Sequence, residues 1–204
     1  VPLVLREDLQ AGRVLDRGRC VLNTFEPDGR PVTLSSYPRL AAYLTAHKDA
    51  LRQRHVARKH PAAWFRTIDR VYPELAARPK LLLPDIASAS APVLEPGRFH
   101  PHHNLYFITA TEWDLETLGG LLASQVALLF IWSYAVKLRS GYLRFQAQYL
   151  RRIRVPPPAA LAPPLAAELR AAFRRRDFAA LDELALRAYG LPALPAFPFV
   201  DRRR

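Results

Sequence analysis

Most side chains here that could do chemistry lack the partners that catalysis needs. Asp85 and Glu95 are ordered like the acid pair of a restriction-type nuclease, but Gly97 stands where such a site requires a lysine. Both acids are therefore expected to be structural. His100, His102 and His103 cluster without further Asp, Glu or Cys at ligand spacing, so no metal is expected. Cys20 has no neighbouring histidine, and one cysteine excludes both a disulfide framework and a cysteine-based zinc knuckle. The chain contains no glycine-rich phosphate loop, no Gly-x-Gly cofactor turn and no Gly-x-Ser-x-Gly elbow.

What remains is suited to binding. The 204 residues carry 30 Lys+Arg against 18 Asp+Glu, a net charge of +12. That excess is concentrated. Residues 37–80 hold ten bases and three acids, and residues 137–154 hold six bases and no acid. Residues 81–136, between them, have Arg98 as their only base. Two basic blocks flanking a slightly acidic middle are a candidate polyanion footprint, because phosphate contacts supply most non-specific affinity for nucleic acid. Lys48, Arg52, Arg58, Lys59, Lys137, Arg151 and Arg152 are the candidate phosphate contacts. Arg66, Lys80, Arg144, Gln146 and Gln148 are the candidates nearest base edges, since arginine and glutamine can pair with guanine and adenine through two hydrogen bonds. If the chain is extended at 141–146, Tyr142, Arg144 and Gln146 share one face while Leu143 and Phe145 point to the core.

These groups need a scaffold. Pro38 in a first turn, then Leu40, Tyr43, Leu44, His47 and Leu51 at three- and four-residue spacing, predict one helix running to about His60. Tyr43 belongs to its buried face, and Lys48, Arg52, His55 and Lys59 form a basic stripe along it. Residues 79–84, 104–109 and 141–145 are strand candidates, with a turn at Glu95-Pro96-Gly97-Arg98. Residues 113–136 predict one or two helices, uncharged from Thr117 to Val136. A membrane span is disfavoured there by Gly119, Gly120, Ser124, Gln125 and Ser133, so a buried core helix is expected. The fold class is α+β: a small twisted mixed β-sheet packed with helices, followed by a C-terminal helical hairpin. Its parts are an irregular or β segment (1–36), a recognition domain (37–155), a Pro-rich linker (156–164), the hairpin (165–191) closed by Gly190, and a frayed Pro/Arg-rich tail (192–204).

In this order the motifs resemble a known family. Pro79-Lys80-Leu81-Leu82-Leu83-Pro84-Asp85 precedes a strand ending at Thr109, then Trp113-Asp114-Leu115 and Leu121-Leu122-Ala123-Ser124. Gly141-Tyr142-Leu143-Arg144-Phe145, Tyr149-Leu150, Ile153-Arg154-Val155-Pro156 and Leu181-Asp182-Glu183-Leu184 through Tyr189-Gly190-Leu191 follow. The chain resembles the TaqI-like C-terminal specificity domain of adenine-N6 DNA methyltransferases, including fused restriction–modification enzymes. Ala123 departs from the asparagine usual in that pattern. The resemblance implies double-stranded DNA as partner, a cytoplasmic location and no membrane. It also implies an upstream catalytic domain that binds S-adenosylmethionine, carries an Asn-Pro-Pro-Tyr/Phe motif and flips the target adenine out of the duplex. Neither that motif nor the cofactor-binding sheet is read in this chain, which is expected to be a severed fragment performing no chemistry. The missing methionine agrees with a fragment. A second expectation is a protein-interaction module, in which residues 117–136 and the hairpin dock a separate methylase or nuclease subunit.

Overall fold

The computed structural model describes residues 1–197, the side chain of Ser140 excepted; the three terminal arginines of the expected tail lie outside the described residues. The fold is α+β, as expected. Its centre is strand β4 (Lys80–Pro84), whose three leucines are essentially inaccessible. Alternation along a strand divides them between two faces. Leu81 and Leu83 face helices, whereas Leu82 packs with Val4, Phe99 and Leu105. β4 pairs antiparallel with β6 (Val93–Glu95) on one side and β8 (Leu105–Ile108) on the other. The third strand candidate is shorter than expected and lies elsewhere. β9 (Leu143–Arg144) pairs with β5 (Ile86–Ala87) beyond the end of β4, and β6 takes the third place in the central sheet. The N-terminal segment adds β1 (Leu3–Val4), parallel to β7 (His100–Pro101), and the small hairpin β2 (Leu9–Gln10) with β3 (Arg13–Val14).

The uncharged stretch forms two helices, α5 (Leu115–Leu122) and α6 (Gln125–Tyr134), bent by 62° between them. Each has its own cap. Asp114 accepts from Thr117 N at 2.8 Å, and Ser124 accepts from Ala127 N. Among the described residues no single helix is long and apolar enough to cross a membrane. Gly119 and Gly120 let α5 lie directly on the C-terminal hairpin: a Cβ at Gly119 would stand 2.7 Å from the Phe173 ring. The hairpin is α8 (Pro163–Arg175), beginning two residues earlier than expected with proline at its first positions, and α9 (Phe178–Tyr189), stopped by left-handed Gly190. Leu118, Leu121, Leu169, Phe173, Leu181 and Leu184 form one core with Leu81. Much of the apolar surface of α5, α6 and the hairpin is therefore buried within the chain, while Tyr134 and Val136 stay exposed. Leu161, in the proline stretch, and Phe197, in the tail, are also buried, and Phe197 packs against Trp132 at 5.9 Å.

The helix expected over residues 38–60 is broken into α1 (Pro38–Ala46), α2 (Lys48–Arg52) and α3 (His55–Lys59). His47 ends the first, and Arg54, in an extended conformation, separates the other two. Tertiary anchoring explains the second break: Arg54 donates to Leu51 O and to Trp64 O, at 3.1 and 3.0 Å. Two side-chain bonds at a bend replace the helical bonds that continuation would have formed. Leu44, Ala57, Trp64, Phe65 and Val32 make a satellite core beneath these helices. Tyr43 is not on the buried face; it is 56% exposed and meets the His47 ring at a tilt of 57°. The remaining helices are short, α4 (Pro73–Ala76) and α7 (Ala147–Leu150).

Candidate nucleic-acid interface

The candidate residues fall on two separate platforms, and one of them on neither. The first platform is the satellite core. Arg52, Arg58 and Lys59 are exposed on it, and Lys48 lies 5.8 Å from the Trp64 ring centroid. The break between α2 and α3 removes the continuous helical period, so Lys48, Arg52, His55 and Lys59 do not form one straight stripe. Arg58 turns back to donate to Gln53 O through two nitrogens, at 3.2 and 2.9 Å. Arg66 is half-buried with its guanidinium 5.3 Å from the Phe25 ring centroid, and its buried Nε has no hydrogen-bond partner among the described residues.

The second platform is the segment from Val136 to Arg152, laid over a core of Leu83, Leu128, Ile131, Leu143 and Phe145. Leu138 N donates to Tyr142 O at 2.8 Å and Arg144 N to Val136 O at 3.2 Å, closing a narrow loop. Gly141 turns that loop at φ +76°, a conformation that side chains other than glycine's rarely adopt. The expected alternation is present. Leu143 and Phe145 are buried, whereas Tyr142 is exposed and Arg144 and Gln146 are partly so. Lys137 sits over Trp132 at 4.4 Å and Arg152 over Tyr134 at 4.6 Å, each close enough for a cation–π attraction. Arg151 is exposed beside them. Gln148 Nε2 donates to Gln146 Oε1 at 3.1 Å, linking the two amides. Arg144 is held by Asp85: Nε to Oδ1 at 3.1 Å and a terminal nitrogen to Oδ2 at 2.7 Å.

Lys80 belongs to neither platform, which corrects its expected place near base edges. Its side chain is 0% exposed, opposite Glu95 in the β4–β6 register, and the ammonium donates to the Glu95 carboxylate, to Phe99 O at 3.0 Å and to Ala76 O at 3.4 Å. The other Glu95 oxygen accepts from the amides of Gly97 and Arg98, at 3.1 and 2.6 Å. Alternation along β4 accounts for the placement, because Lys80 shares the face of Leu82, not an edge open to solvent. Glu95 and Asp85, the nuclease-like pair, thus each neutralise a base. The His102 and His103 rings meet tilted, 4.0 Å apart, with Asn104 bonded to His102, and no group of three metal-ligating side chains occurs among the described residues.

Two elements of this surface were not among the sequence candidates. Trp132 and Tyr134 sit at the end of the apolar stretch, where only the last turn of α6 leaves the core; Tyr134 is 48% exposed and the following Val136 53%. The sequence signal was the approach of Lys137 to this aromatic pair. Asp85 reads from the sequence as a structural acid, and its service to Arg144, fifty-nine residues on, has no local signal.

No family model matches the chain. It is 51% identical over 191 residues to the Type II methyltransferase M.XhoI of Xanthomonas vasicola, covering 94% of this chain and 35% of that protein. It is 50% identical over 191 residues to the Type II methyltransferase M.PaeR7I of Pseudomonas aeruginosa, covering 94% of this chain and 33% of that protein. To the Type II methyltransferase M.BstVI of Geobacillus stearothermophilus it is 47% identical over 161 residues, 79% of this chain and 29% of that protein. The chain thus spans about a third of the length of the curated relatives it matches.

Proposed function

We propose that this chain is the DNA-recognition part of a Type II restriction–modification methyltransferase, of the TaqI-like, adenine-specific kind, and that methyl transfer belongs to the rest of the parent protein. The similarity to Type II methyltransferases over nearly the whole chain supports the methyltransferase setting. The observation that carries the recognition role is the second platform, where bases are paired with aromatic rings and a row of Tyr142, Arg144 and Gln146 stands over a rigid core. Such a surface combines the two contacts that duplex recognition requires: cations that hold the backbone and planar donors that reach base edges. Lys48, Arg52, Arg58 and Lys59 extend the electrostatic part of the footprint from the first platform, with Arg66 beside them.

We propose that S-adenosylmethionine binds outside this chain. Its left-handed glycines are isolated at turns, and none opens a helix after a strand as a cofactor-binding turn would. We assign that cofactor, and extrusion of the target base, to the catalytic domain that would precede this chain in the parent protein. The test is selection of bound duplexes from a randomised pool by the chain of 204 residues. Enrichment of one short sequence over repeated rounds is the expected result. Binding without any enrichment would overturn the recognition role.

A further inference from the structure

We infer that Asp85 is a positioning residue that fixes the Arg144 guanidinium as a reader of guanine, and this rests on the DNA-recognition reading above. A guanidinium has five N–H donors in one plane. Asp85 takes one edge of it, through Nε at 3.1 Å and a terminal nitrogen at 2.7 Å. The donors left over lie on the terminal nitrogens, and two of them point forward in parallel, the geometry that matches O6 and N7 of guanine in the major groove.

The mount is rigid at both ends. The Asp85 amide donates to Asn104 O at 3.0 Å, and its carbonyl accepts from Phe145 N at 2.6 Å. Ile86 and Arg144 are register partners in the β5–β9 pair, and Phe145 is 1% exposed. A long side chain held in this way loses little conformational freedom on binding, so more of its directional hydrogen bonding is realised as discrimination.

Charge separates this role from a phosphate contact. The Asp85–Arg144 pair is formally neutral, so it releases few counterions from a duplex, whereas Arg52, Lys59 and Arg151 remain exposed cations suited to that task. Arg144 is also flanked by Tyr142 and Gln146 on the same side of the strand, in a segment with no other acid. The second long-range arginine fork, Arg174 on Glu116, ties α8 to α5 over the helical core and supplies an internal control.

The experiment compares Arg144→Lys, Asp85→Asn and Glu116→Gln by competition anisotropy, against the selected duplex and its single-pair substitutions. Arg144→Lys keeps the charge but loses the fork. It should lower discrimination at one G·C pair by roughly 5- to 160-fold and leave the other positions intact. Asp85→Asn should lower discrimination at that same pair while raising affinity for unrelated duplexes and steepening the salt dependence by about one phosphate contact, because it releases a cation. The double variant should lose no more discrimination than the worse single one. Glu116→Gln should leave the preference unchanged. Equal losses on all sequences for Arg144→Lys, or an Asp85→Asn variant of lower melting temperature with its preference intact, would overturn this inference alone. Absence of sequence-selective binding by the unsubstituted chain would overturn the recognition reading and this inference with it.

Discussion

Replacing Lys80 by methionine separates a structural lysine from a DNA-reading one. The ammonium is 0% exposed and is shared by the Glu95 carboxylate, Phe99 O and Ala76 O. Methionine fills nearly the same volume, so the change removes charge and donors and leaves little cavity. It strands a carboxylate that is itself 0% exposed, with only the Gly97 and Arg98 amides for company. Breaking a buried pair in this way costs about 3–5 kcal/mol. At roughly 2–4 °C per kcal/mol for a chain of this size, the melting temperature should fall by roughly 6–20 °C. Adding Glu95→Gln should recover a large part of that loss, because glutamine still accepts from both amides and carries no buried charge. Thermal unfolding followed by circular dichroism measures both shifts, and DNA binding well below the transition should keep its sequence preference. An unchanged melting temperature together with an altered preference would refute the buried pair and return Lys80 to the DNA-facing surface.

Three further outcomes follow from individual contacts. Gly119→Ala should destabilise the chain by about 1–3 kcal/mol in urea unfolding, despite alanine's better helix propensity, because the new methyl meets the buried Phe173 ring at 2.7 Å. Tyr189→Phe should be neutral or stabilising by up to about 1 kcal/mol: burial pushes the phenol up to about 12, and among the described residues the hydroxyl has no hydrogen-bond partner. Burial acts to raise the pKa of Asp8, but the Leu5 amide and Arg19 outweigh it and hold the carboxyl below its ordinary value. A depressed folded pKa contributes stability above the unfolded value of about 3.9 that is lost as pH falls through the folded one. Melting temperatures of the unsubstituted chain and of Asp8→Asn should therefore differ most near neutrality and converge in acid; a constant gap would contradict the assignment.

How far the sequence carried can be followed through particular residues. The Leu81-Leu82-Leu83 run declares a buried strand because nothing charged interrupts it, and Leu143 and Phe145 declare the face opposite Arg144 by simple alternation. Gly190 marks the end of the hairpin for a local stereochemical reason, whereas Pro163 and Pro164, which read as linker, open α8. Features fixed by distant partners were not legible. The break at Arg54 depends on Trp64, ten residues away, and a helical period cannot register it. Lys80 reads as a cation at a strand end until the β4–β6 register places Glu95 opposite it. Asp85 became part of the candidate site only when β5 and β9 paired. Of the base-edge candidates, Arg144, Gln146 and Gln148 lie together on one segment, Arg66 lies on the other platform, and Lys80 is inside.

The central claim is that the two basic platforms bind a duplex, and its most direct test is anisotropy of the whole chain with a randomised duplex at roughly 50 and 200 mM salt. Several phosphate contacts predict an affinity that falls by orders of magnitude across that interval, with Arg52→Ala reducing the slope by about one contact. No binding at the lower salt, or binding indifferent to salt, would contradict the account.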